Sequence, residues 1–597
     1  MERIPVAKKL VVYCGFYVLW YQTKRTFLPE ISDCSDHVAS IFTGSHVFII
    51  QALSAMLLAK LASSDSRLLV DQGELFLDAI STVLARLPQK PLMLIGVNDG
   101  LLDGIVELLE HCLTQDNGSR ASSQVIESSV WDSLWSAVGV ILNIVTDESV
   151  FLSDLEAMPE EEADIRVGVV QWRVMSYQGL QHLLRITHFL FTKAPLQSIM
   201  KLVEPPAHAV SCLSKMLTTP FVEQLCEHLA SSRTHGNKGE DREILNEFIS
   251  KIIKIFYFPF AIDVEEHLLH DTQSVLYQYR LVPNLLEFSS KFLPMEELEL
   301  PLGLISRLVL SDEIFVTQLA RDVTNQKAEP FLASLVSSDN SITLLNDVIA
   351  ILSHVARSSS EYVSMATNVL QGDGELYEPL YNLLTHTNTA VIANACGMLG
   401  NILKHSAVFY PVLQRTNLLS TLISCLKSDD SNVRKTASFA VGNAAYHSDS
   451  LYTVLNPAVP LLVDLLTDSV ARTRANAAGA LGNMVRHSPL LYQQLIKAQA
   501  PHGVLDMACN DGHPEPQDAA LKTLRLFCRN PRCRQVLVSL GIQQRLLRFL
   551  ERSRMSGACS QQSSVSSVPS TARTNDSVVS EHCVRILNKL KTRVSET

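Results

Sequence analysis

The chain has 597 residues, 47% of them apolar, and a formal net charge of −11 from 50 basic and 61 acidic residues. This mild acidity excludes a strong positive field over the whole chain, so nucleic acid is not expected as the main partner. Glycine and proline number only 24 each, too few for the frequent turns of an all-β protein. Leu- and Ala-rich segments with helical spacing dominate instead, and they predict an all-α protein.

The N-terminal segment 1–35 contains an apolar run, Leu10–Tyr21, between basic residues. This run is shorter than the roughly 20 residues that a membrane-spanning helix needs. We therefore expect a buried helix here, or the non-native start of a truncated chain, and no membrane partner. The 12 cysteines are scattered singly without a CxxC pair, a pattern that favours a reducing, cytoplasmic setting.

Most of the remaining chain is predicted to be helical. Residues 36–230 and 243–340 have amphipathic patterns that we interpret as diverged helical repeats. The polar, glycine-containing residues 231–242 between them predict a flexible linker. Residues 553–580 are serine-rich with few large apolar side chains, which predicts disorder. A short amphipathic helix is predicted within 581–597, either docked on the preceding repeats or binding a partner.

A repeated pattern organises residues 341–552. It occurs in Ala393–Leu403 (ANACGMLGNIL), Val433–Ala445 (VRKTASFAVGNAA) and Ala475–Val485 (ANAAGALGNMV). The pairs Gly400-Asn401, Gly442-Asn443 and Gly482-Asn483 then align at steps of 42 and 40 residues. A period in this range on an alanine-rich helical pattern is typical of HEAT or armadillo repeats. We predict an α-solenoid of such repeats.

The array is expected to begin at Leu344–Arg357, where His354 takes the place of the asparagine, and to end with a capping unit at Asp518–Cys528. In the central repeat, Leu418–Leu426 predicts a helix and Ser428–Asn432 a turn that caps the long helix starting at Val433. A glycine inside a helix costs about 1 kcal/mol relative to alanine. Its recurrence therefore predicts a packing or surface requirement.

The recurring amides Asn401, Asn443 and Asn483 are candidate partner-binding residues. One amide per repeat on the same helix can hydrogen-bond the backbone of an extended peptide. Alternatively, each amide satisfies backbone or loop groups between repeats. Peptide-gripping armadillo proteins often carry a tryptophan four residues earlier. Gly397, Phe439 and Gly479 stand there, so that peptide cage is not reproduced.

Two basic sets near the end of the array are further candidates for partner binding. They are Lys522, Arg525 and Arg529, and Arg545, Arg548 and Arg552. Their spacing places each set on one helix face, where an acidic partner segment would be steered. The alternative is a solvated face on a terminal helix. No aromatic residues interleave with the charges, which disfavours nucleic acid.

No catalytic motif is present in the sequence. It contains no GxxxxGK[ST], HRD, DFG, GxSxG or HExxH. The nearest metal-like spacing, His267 and His270 beside Glu265 and Glu266, lacks a further ligand from elsewhere. We therefore predict no catalytic residue, cofactor or metal site in this chain.

Three stretches resemble the C-terminal region of vertebrate Fused-type serine/threonine kinases. They are Ser428–Ser448 (SDDSNVRKTASFAVGNAAYHS), Leu505–Gly512 (LDMACNDG) and Gln535–Gly541 (QVLVSLG). The order of a serine-rich segment and a short helix with His582-Cys583 is similar too. The resemblance is most specific over about 418–550, and it implies the regulatory, armadillo-like part of such a kinase.

The resemblance also implies roles in Hedgehog signalling and in central-pair assembly of motile cilia. The implied partners are Suppressor of Fused, Gli-type transcription factors and ciliary kinesins, in the cytoplasm and at the cilium, axoneme or nucleus. The family's kinase domain has no counterpart in this sequence, so no catalytic residue carries over. ATP and Mg would be cofactors only of a longer product that contains that domain.

The leading hypothesis is a non-catalytic α-solenoid scaffold for protein–protein interaction. One alternative is a fragment of a serine/threonine kinase that inherits an ATP-binding description from its relatives. A second alternative is an importin-like, peptide-binding transport adaptor, which the missing tryptophans disfavour.

Overall fold

A computed structural model describes residues 73–86, 101–115, 130–146, 175–231, 238–326, 328–372, 374–559 and 581–590, with isolated positions within 38–58 and 122–127. Every regular element in these ranges is a helix, which confirms the all-α prediction. The chain divides into two compact units, Met1–Leu308 and Val309–Thr597. None of the described helices is long and apolar enough to cross a membrane. The run Leu10–Tyr21 lies outside the described residues.

The first unit contains helices of 8 to 20 residues. They are α1 (Gly73–Ala85), α2 (Leu101–Gln115), α3 (Val130–Thr146), α4 (Tyr177–Lys193), α5 (Pro195–Val203), α6 (His208–Lys215), α7 (Thr219–Ser231), α8 (Lys238–Tyr257), α9 (Glu266–Gln278), α10 (Leu281–Phe292) and α11 (Glu299–Ser311), which runs across the division. Helix α4 packs against both α2 and α8. Its buried side includes Leu183, Leu184 and Leu190, so it is the central helix of this group.

The predicted linker 231–242 differs from the structure at its second half. Helix α8 begins at Lys238. Apolar residues at helical spacing start a few positions later, and the helix that they form extends back through the polar residues before them. Residues 232–237 lie outside the described part of the chain.

The second unit begins with α12 (Glu313–Gln326) and α13 (Glu329–Leu335). It continues with α14 (Ile342–Ser358), α15 (Val363–Gln371), α16 (Glu378–Leu384), α17 (Thr389–His405), α18 (Tyr410–Arg415), α19 (Leu418–Cys425), α20 (Ser431–Ala444), α21 (Tyr452–Leu455), α22 (Ala458–Asp464), α23 (Ala471–Asn483), α24 (Tyr492–Lys497), α25 (Ala500–Asn510), α26 (Pro514–Phe527), α27 (Pro531–Ser539) and α28 (Ile542–Cys559). A last helix, α29, covers 581–590.

The repeats that end in α17, α20, α23 and α26 have three helices each. The central repeat consists of α18, α19 and α20, and the next repeat of α21, α22 and α23. Three helices per repeat are typical of armadillo units, whereas HEAT units have two. The sequence pattern did not separate these possibilities, because α18 and α21 span only 6 and 4 residues.

The long third helices pack in one continuous layer, in the order α14, α17, α20, α23 and α26. The second helices α16, α19, α22 and α25 pack against them as another layer. Val433, Ala437 and Val441 of α20 are almost fully buried between the layers. Small and β-branched side chains here bring the helices close together, as the alanine-rich pattern predicts.

The start of α20 follows the predicted capping logic. Asp430 Oδ1 accepts hydrogen bonds from the backbone N–H groups of Asn432, at 2.7 Å, and Val433, at 3.2 Å. These groups have no partner inside the helix. The helix begins at Ser431, two residues before the predicted start.

The array does not end at α26, since α27 and α28 follow it. Helix α28 reaches Cys559, so residues 553–559 are helical although the sequence predicted disorder from 553. Leu546, Phe549 and Leu550 are buried at helical spacing in the first part of this helix. The residues after Arg552 continue it. Residues 560–580 lie outside the described part.

Candidate partner-binding surface

The three candidate asparagines form a register across neighbouring long helices. Asn443 Nδ2 donates to the Gly400 carbonyl at 2.8 Å, and Asn483 Nδ2 donates to the Gly442 carbonyl at 2.9 Å. Asn401 Nδ2 donates to Ser353 Oγ at 2.9 Å, beside His354, the residue aligned with it in the sequence. Each amide N–H₂ group therefore ties its helix to the one before, as the inter-repeat alternative predicts.

The amide oxygens of these residues remain available. Within the part of the chain that the structure describes, the Oδ1 atoms of Asn401, Asn443 and Asn483 accept no hydrogen bond, and the residues are partly exposed. We call these three oxygens the asparagine rail. Because the donor side of each amide is fixed, the oxygens are held in place as acceptors for an N–H group of a partner. Their role in binding stays a prediction.

Two tyrosines fix the backbone under the rail. Tyr410 Oη donates to the Asn443 carbonyl at 2.6 Å, and Tyr452 Oη donates to the Asn483 carbonyl at 2.6 Å. Each bond joins the first and third helices of one repeat. Burial raises the pKa of Tyr452 to about 12, so its hydroxyl remains a donor at neutral pH.

A ladder of histidines, which was not predicted from the sequence, accompanies the rail. His405 Nε2 donates to the Arg357 carbonyl at 3.0 Å, His447 Nε2 to the Lys404 carbonyl at 3.1 Å, and His487 Nε2 to the Tyr446 carbonyl at 2.7 Å. These carbonyls lie at helix ends, where the helix itself supplies no donor. The signal was present, since each histidine follows a rail asparagine by four residues in a GNxxxH pattern.

The recurring glycines meet a packing requirement. A Cβ atom on Gly400 would lie 2.5 Å from Phe439 Cδ1 and 3.3 Å from the Ala440 Cα atom. One on Gly442 would lie 3.4 Å from Ala480 Cβ. The approach of α20 to α17 therefore requires glycine at 400, whereas an added Cβ at 442 would only touch Ala480.

The positions that often carry tryptophan in peptide-binding armadillo proteins have a different role here. The Phe439 ring packs over Gly400 of the preceding repeat, whereas a Cβ atom on Gly479 would meet nothing within 4 Å. The surface next to Gly479 is thus open. The structure contains no aromatic cage at these three positions, in keeping with their sequence.

The two basic sets are only partly free. Lys522 Nζ lies 2.6 Å from Asp518 Oδ2, and Arg545 Nη2 lies 2.7 Å from Asp506 Oδ1. Arg552 Nη2 donates to the Cys509 carbonyl at 3.1 Å. Arg529 and Arg548 are exposed, while Arg525 is partly buried. The structure therefore separates each set into paired and exposed members, and their binding role stays a prediction.

Helix α29 docks next to the first basic set. His582, Cys583, Ile586, Leu587 and Leu590 are buried, and His582 Nε2 lies 3.6 Å from Asp518 Oδ1 of α26. Burial, together with the charges of Arg529 and Arg525, lowers the pKa of Lys589. Of the two roles that the sequence left open for this helix, the structure shows docking on the repeats.

The first unit contains a cavity of about 460 Å³ between α2, α4 and α8, with Arg185, Lys193, Lys251 and Lys254 in its lining. Arg185 Nε lies 2.9 Å from Glu110 Oε1, and Lys251 pairs with a glutamate on its own helix. Much of its positive charge is therefore neutralised locally.

No metal site is evident among the described residues, where no three histidine, cysteine, aspartate or glutamate side chains are grouped to hold an ion. His267 and His270 are exposed on α9, and His267 Nδ1 lies 3.3 Å from Glu265 Oε2.

Comparisons with known proteins agree with this architecture. The family model of the armadillo/beta-catenin-like repeat matches residues 451–486, which cover α21 to α23. Serine/threonine-protein kinase 36 of Mus musculus is 31% identical over 513 residues, which are 85% of this chain and 38% of the mouse protein. The Pongo abelii protein of the same name is 31% identical over 518 residues, again 85% of this chain and 38% of the relative.

The chain is homologous to these Fused-type kinases. This confirms the resemblance seen in the sequence and extends it beyond 418–550. The chain spans only 38% of the length of the relatives it matches, and that part lies outside their kinase domain. A protein kinase carries its ATP-binding lysine on a β-strand, whereas the described residues contain only helices.

Two engineered proteins are among the solved structures to which this chain is similar. One engineered protein is 15% identical with a TM-score of 0.47, covering 82% of this chain and 98% of its own. A designed armadillo repeat protein in complex with the peptide (KR)4 is 20% identical with a TM-score of 0.37, covering 41% of this chain and 99% of its own. The armadillo assignment rests on the family match and the three-helix repeats.

Proposed function

We propose that this chain is a non-catalytic armadillo scaffold that holds extended segments of partner proteins along the asparagine rail. The observation that carries the proposal is the set of three amide oxygens, one per repeat, without a partner among the described residues. Their N–H₂ groups are hydrogen-bonded to the neighbouring helix, so the three oxygens form a line of acceptors in fixed positions.

An extended peptide suits such a line because its backbone N–H groups recur at regular intervals and are not used internally. The surface is also preorganised. Both the side-chain amide and the backbone carbonyl of Asn443 are already hydrogen-bonded, to Gly400 and Tyr410. Binding would therefore order few protein groups, which reduces the entropic cost of association.

The homology supplies a biological setting for this proposal. The proposed partners are Suppressor of Fused, Gli-type transcription factors and ciliary kinesins, in Hedgehog signalling and in central-pair assembly of motile cilia. The proposed locations are the cytoplasm, the cilium with its axoneme, and the nucleus. In this proposal the chain binds no ATP, and phosphate transfer by the purified chain would contradict it.

Pull-down of these three partner classes by the full chain tests the rail directly. Asn443→Ala removes one rail oxygen together with one inter-repeat hydrogen bond. Thr523→Val is the matched control, because Thr523 Oγ1 donates to the Ala478 carbonyl at 2.7 Å from a buried position that a partner cannot touch.

We expect both variants to lower the melting temperature, since each loses a hydrogen bond worth about 1 kcal/mol. Only Asn443→Ala should reduce capture, by about tenfold, which corresponds to roughly 1.4 kcal/mol. Equal capture by the two variants would show that the asparagines serve only to join the repeats.

A further inference from the structure

A row of positive charge runs beside the asparagine rail. Three residues after the rail asparagines Asn401, Asn443 and Asn483, and after their counterparts His354 and Leu526 in the outer repeats, four of the five positions carry a cation. We call Arg357, Lys404, Arg486 and Arg529 the basic row, and Tyr446 occupies the fifth position. All five side chains are exposed. Each of these residues lies in the last turn of its long helix or just past its C-terminal end, so the row follows the rail at that edge of the layer.

Neighbouring members of the row are held together in space. His405 binds the carbonyl of Arg357, and His447 binds the carbonyl of Lys404. In the sequence, His405 directly follows Lys404, and His447 directly follows Tyr446. Farther along, the Arg486 guanidinium lies 4.3 Å from the centre of the Tyr446 ring. The histidine ladder therefore fixes the row's register from one repeat to the next.

The charges of the row are not neutralised. Among the residues that the structure describes, no carboxylate lies within ion-pair distance of Arg357, Lys404, Arg486 or Arg529. Other arginines of the same repeats behave differently, since Arg434 and Arg474 each pair with an aspartate at 2.7 Å. Unpaired cations at four of the five positions leave a strip of surface that attracts negative charge.

We propose that the partner segment is acidic, with aspartate and glutamate side chains along the basic row and backbone N–H groups on the rail oxygens. This inference rests on the proposed function and specifies the class of peptide that the surface takes. The separation of roles is physical: the neutral rail recognises an extended backbone, while the row selects its charge.

A single-stranded nucleic acid is a poorer occupant. Such ligands need aromatic platforms for their bases, and Tyr446, the one aromatic residue at the five row positions, is already stacked on Arg486. A carboxylate-bearing peptide needs only the exposed ammonium and guanidinium groups.

The test uses the full chain and fluorescence anisotropy with a labelled decaglutamate peptide. A Gly-Ser decamer and a thymidine decanucleotide serve as comparison probes. The row variant combines Lys404→Glu with Arg486→Glu. The control variant combines Lys427→Glu with Lys497→Glu, an equal change of net charge at two exposed lysines away from the row.

We expect decaglutamate to bind more tightly than the Gly-Ser peptide. The row variant should weaken its binding by about tenfold in low salt and the control variant by less than about twofold. The difference should shrink towards 1 M salt, where the Debye length falls to about 3 Å. Equal affinities of the row and control variants, or preference for the oligonucleotide, would overturn the acidic-peptide proposal.

Asn443→Ala in the same assay separates this inference from the proposed function. Weaker decaglutamate binding by both Asn443→Ala and the row variant supports both proposals. Weaker binding by the row variant alone rejects the rail and retains an acidic-peptide surface. Weaker partner capture by Asn443→Ala, with no effect of the row variant on decaglutamate, retains the rail and rejects an acidic ligand.

Discussion

Arg474 and Asp511 form a two-pronged ion pair, with Nε 2.7 Å from Oδ2 and Nη2 2.8 Å from Oδ1. Their side chains are only 13% and 5% exposed. The pair joins α23 to the turn before α26, in the next repeat. Arg434 and Asp468 make a single-pronged counterpart one repeat earlier, with Nε 2.7 Å from Oδ2. Charged side chains thus connect successive repeats at the turn before the third helix.

Removing one partner of the Arg474–Asp511 pair should destabilise the chain markedly. Asp511→Ala leaves a shielded guanidinium without its carboxylate, and we expect the free energy of unfolding to fall by about 2–3 kcal/mol. Urea unfolding followed by circular dichroism measures the change. Asp506→Ala is the control, since its pair with Arg545 is 55% and 26% exposed and should contribute less than about 1 kcal/mol. Equal losses would contradict this account.

The same pair predicts a pH dependence. Burial raises the pKa of Asp511, but the Arg474 hydrogen bond, the backbone N–H of His513 and nearby positive charge outweigh it and hold the pKa below 3.8. A carboxyl group whose pKa is lower in the folded state stabilises the protein above its unfolded pKa of about 3.9. That contribution is lost as the pH falls through the folded pKa.

We therefore expect the difference in unfolding free energy between the unmodified chain and Asp511→Asn to be largest at neutral pH. It should shrink as the pH is lowered from about 5 to about 3. Urea unfolding at a series of pH values measures this difference. A difference that grew on acidification would argue against a stabilising ion pair.

Two glycines on the long helices α17 and α23 should respond in opposite directions to alanine. Gly400→Ala would place a methyl group 2.5 Å from the Phe439 ring and should lower the free energy of unfolding by about 1–3 kcal/mol. Gly479→Ala enters open space and should raise it by about 0.5–1 kcal/mol, because alanine favours the helix. Thermal and urea unfolding of both variants measure the signs. Effects of the same sign would contradict close packing at Gly400.

Docking of α29 predicts protection of its cysteine. Cys583 is fully buried, and burial raises its pKa to about 12, so little reactive thiolate forms. A maleimide reagent should therefore modify the exposed Cys226 well before Cys583, as measured by peptide mass spectrometry. Ile586→Asp places a charge at a fully buried position and should accelerate labelling of Cys583 by at least about tenfold through undocking.

Val584→Asp is the matched control for this experiment, because Val584 is 45% exposed on the same helix. It should leave the labelling rate of Cys583 nearly unchanged. If both aspartate variants accelerated labelling alike, the burial of one side of α29 would not explain the protection.

The fold was largely predictable because the repeat has a strong local signal. The period of the Gly-Asn pairs, the alanine-rich pattern and the capping turn before α20 all follow from residues close together in sequence. The short first helices were missed because Tyr410–Arg415 and Tyr452–Leu455 are too brief to show helical periodicity. The predicted end of the linker and start of the disordered tail were wrong because helices α8 and α28 extend into polar sequence.

The register of the three asparagines was predictable from the sequence, but their hydrogen-bond partners were not. The spacing located Asn443, yet only the structure shows that its Nδ2 group is bound to Gly400, since that partner is 43 residues away. The pairing of Arg474 with Asp511 spans 37 residues and leaves no local pattern. The docking site of α29 was equally hidden, because an amphipathic pattern identifies an apolar side without identifying its partner.

The joint between α20 and α23 is closed by bonds that run in both directions along the chain. Asn483 and His487 reach back to the Gly442 and Tyr446 carbonyls, while Arg434 reaches forward to Asp468. These bonds lie near both ends of the two helices, so tilting one helix against the other would stretch one set of bonds. These bonds therefore hold the spacing between neighbouring rail oxygens. A ligand would be selected by its length as well as its charge.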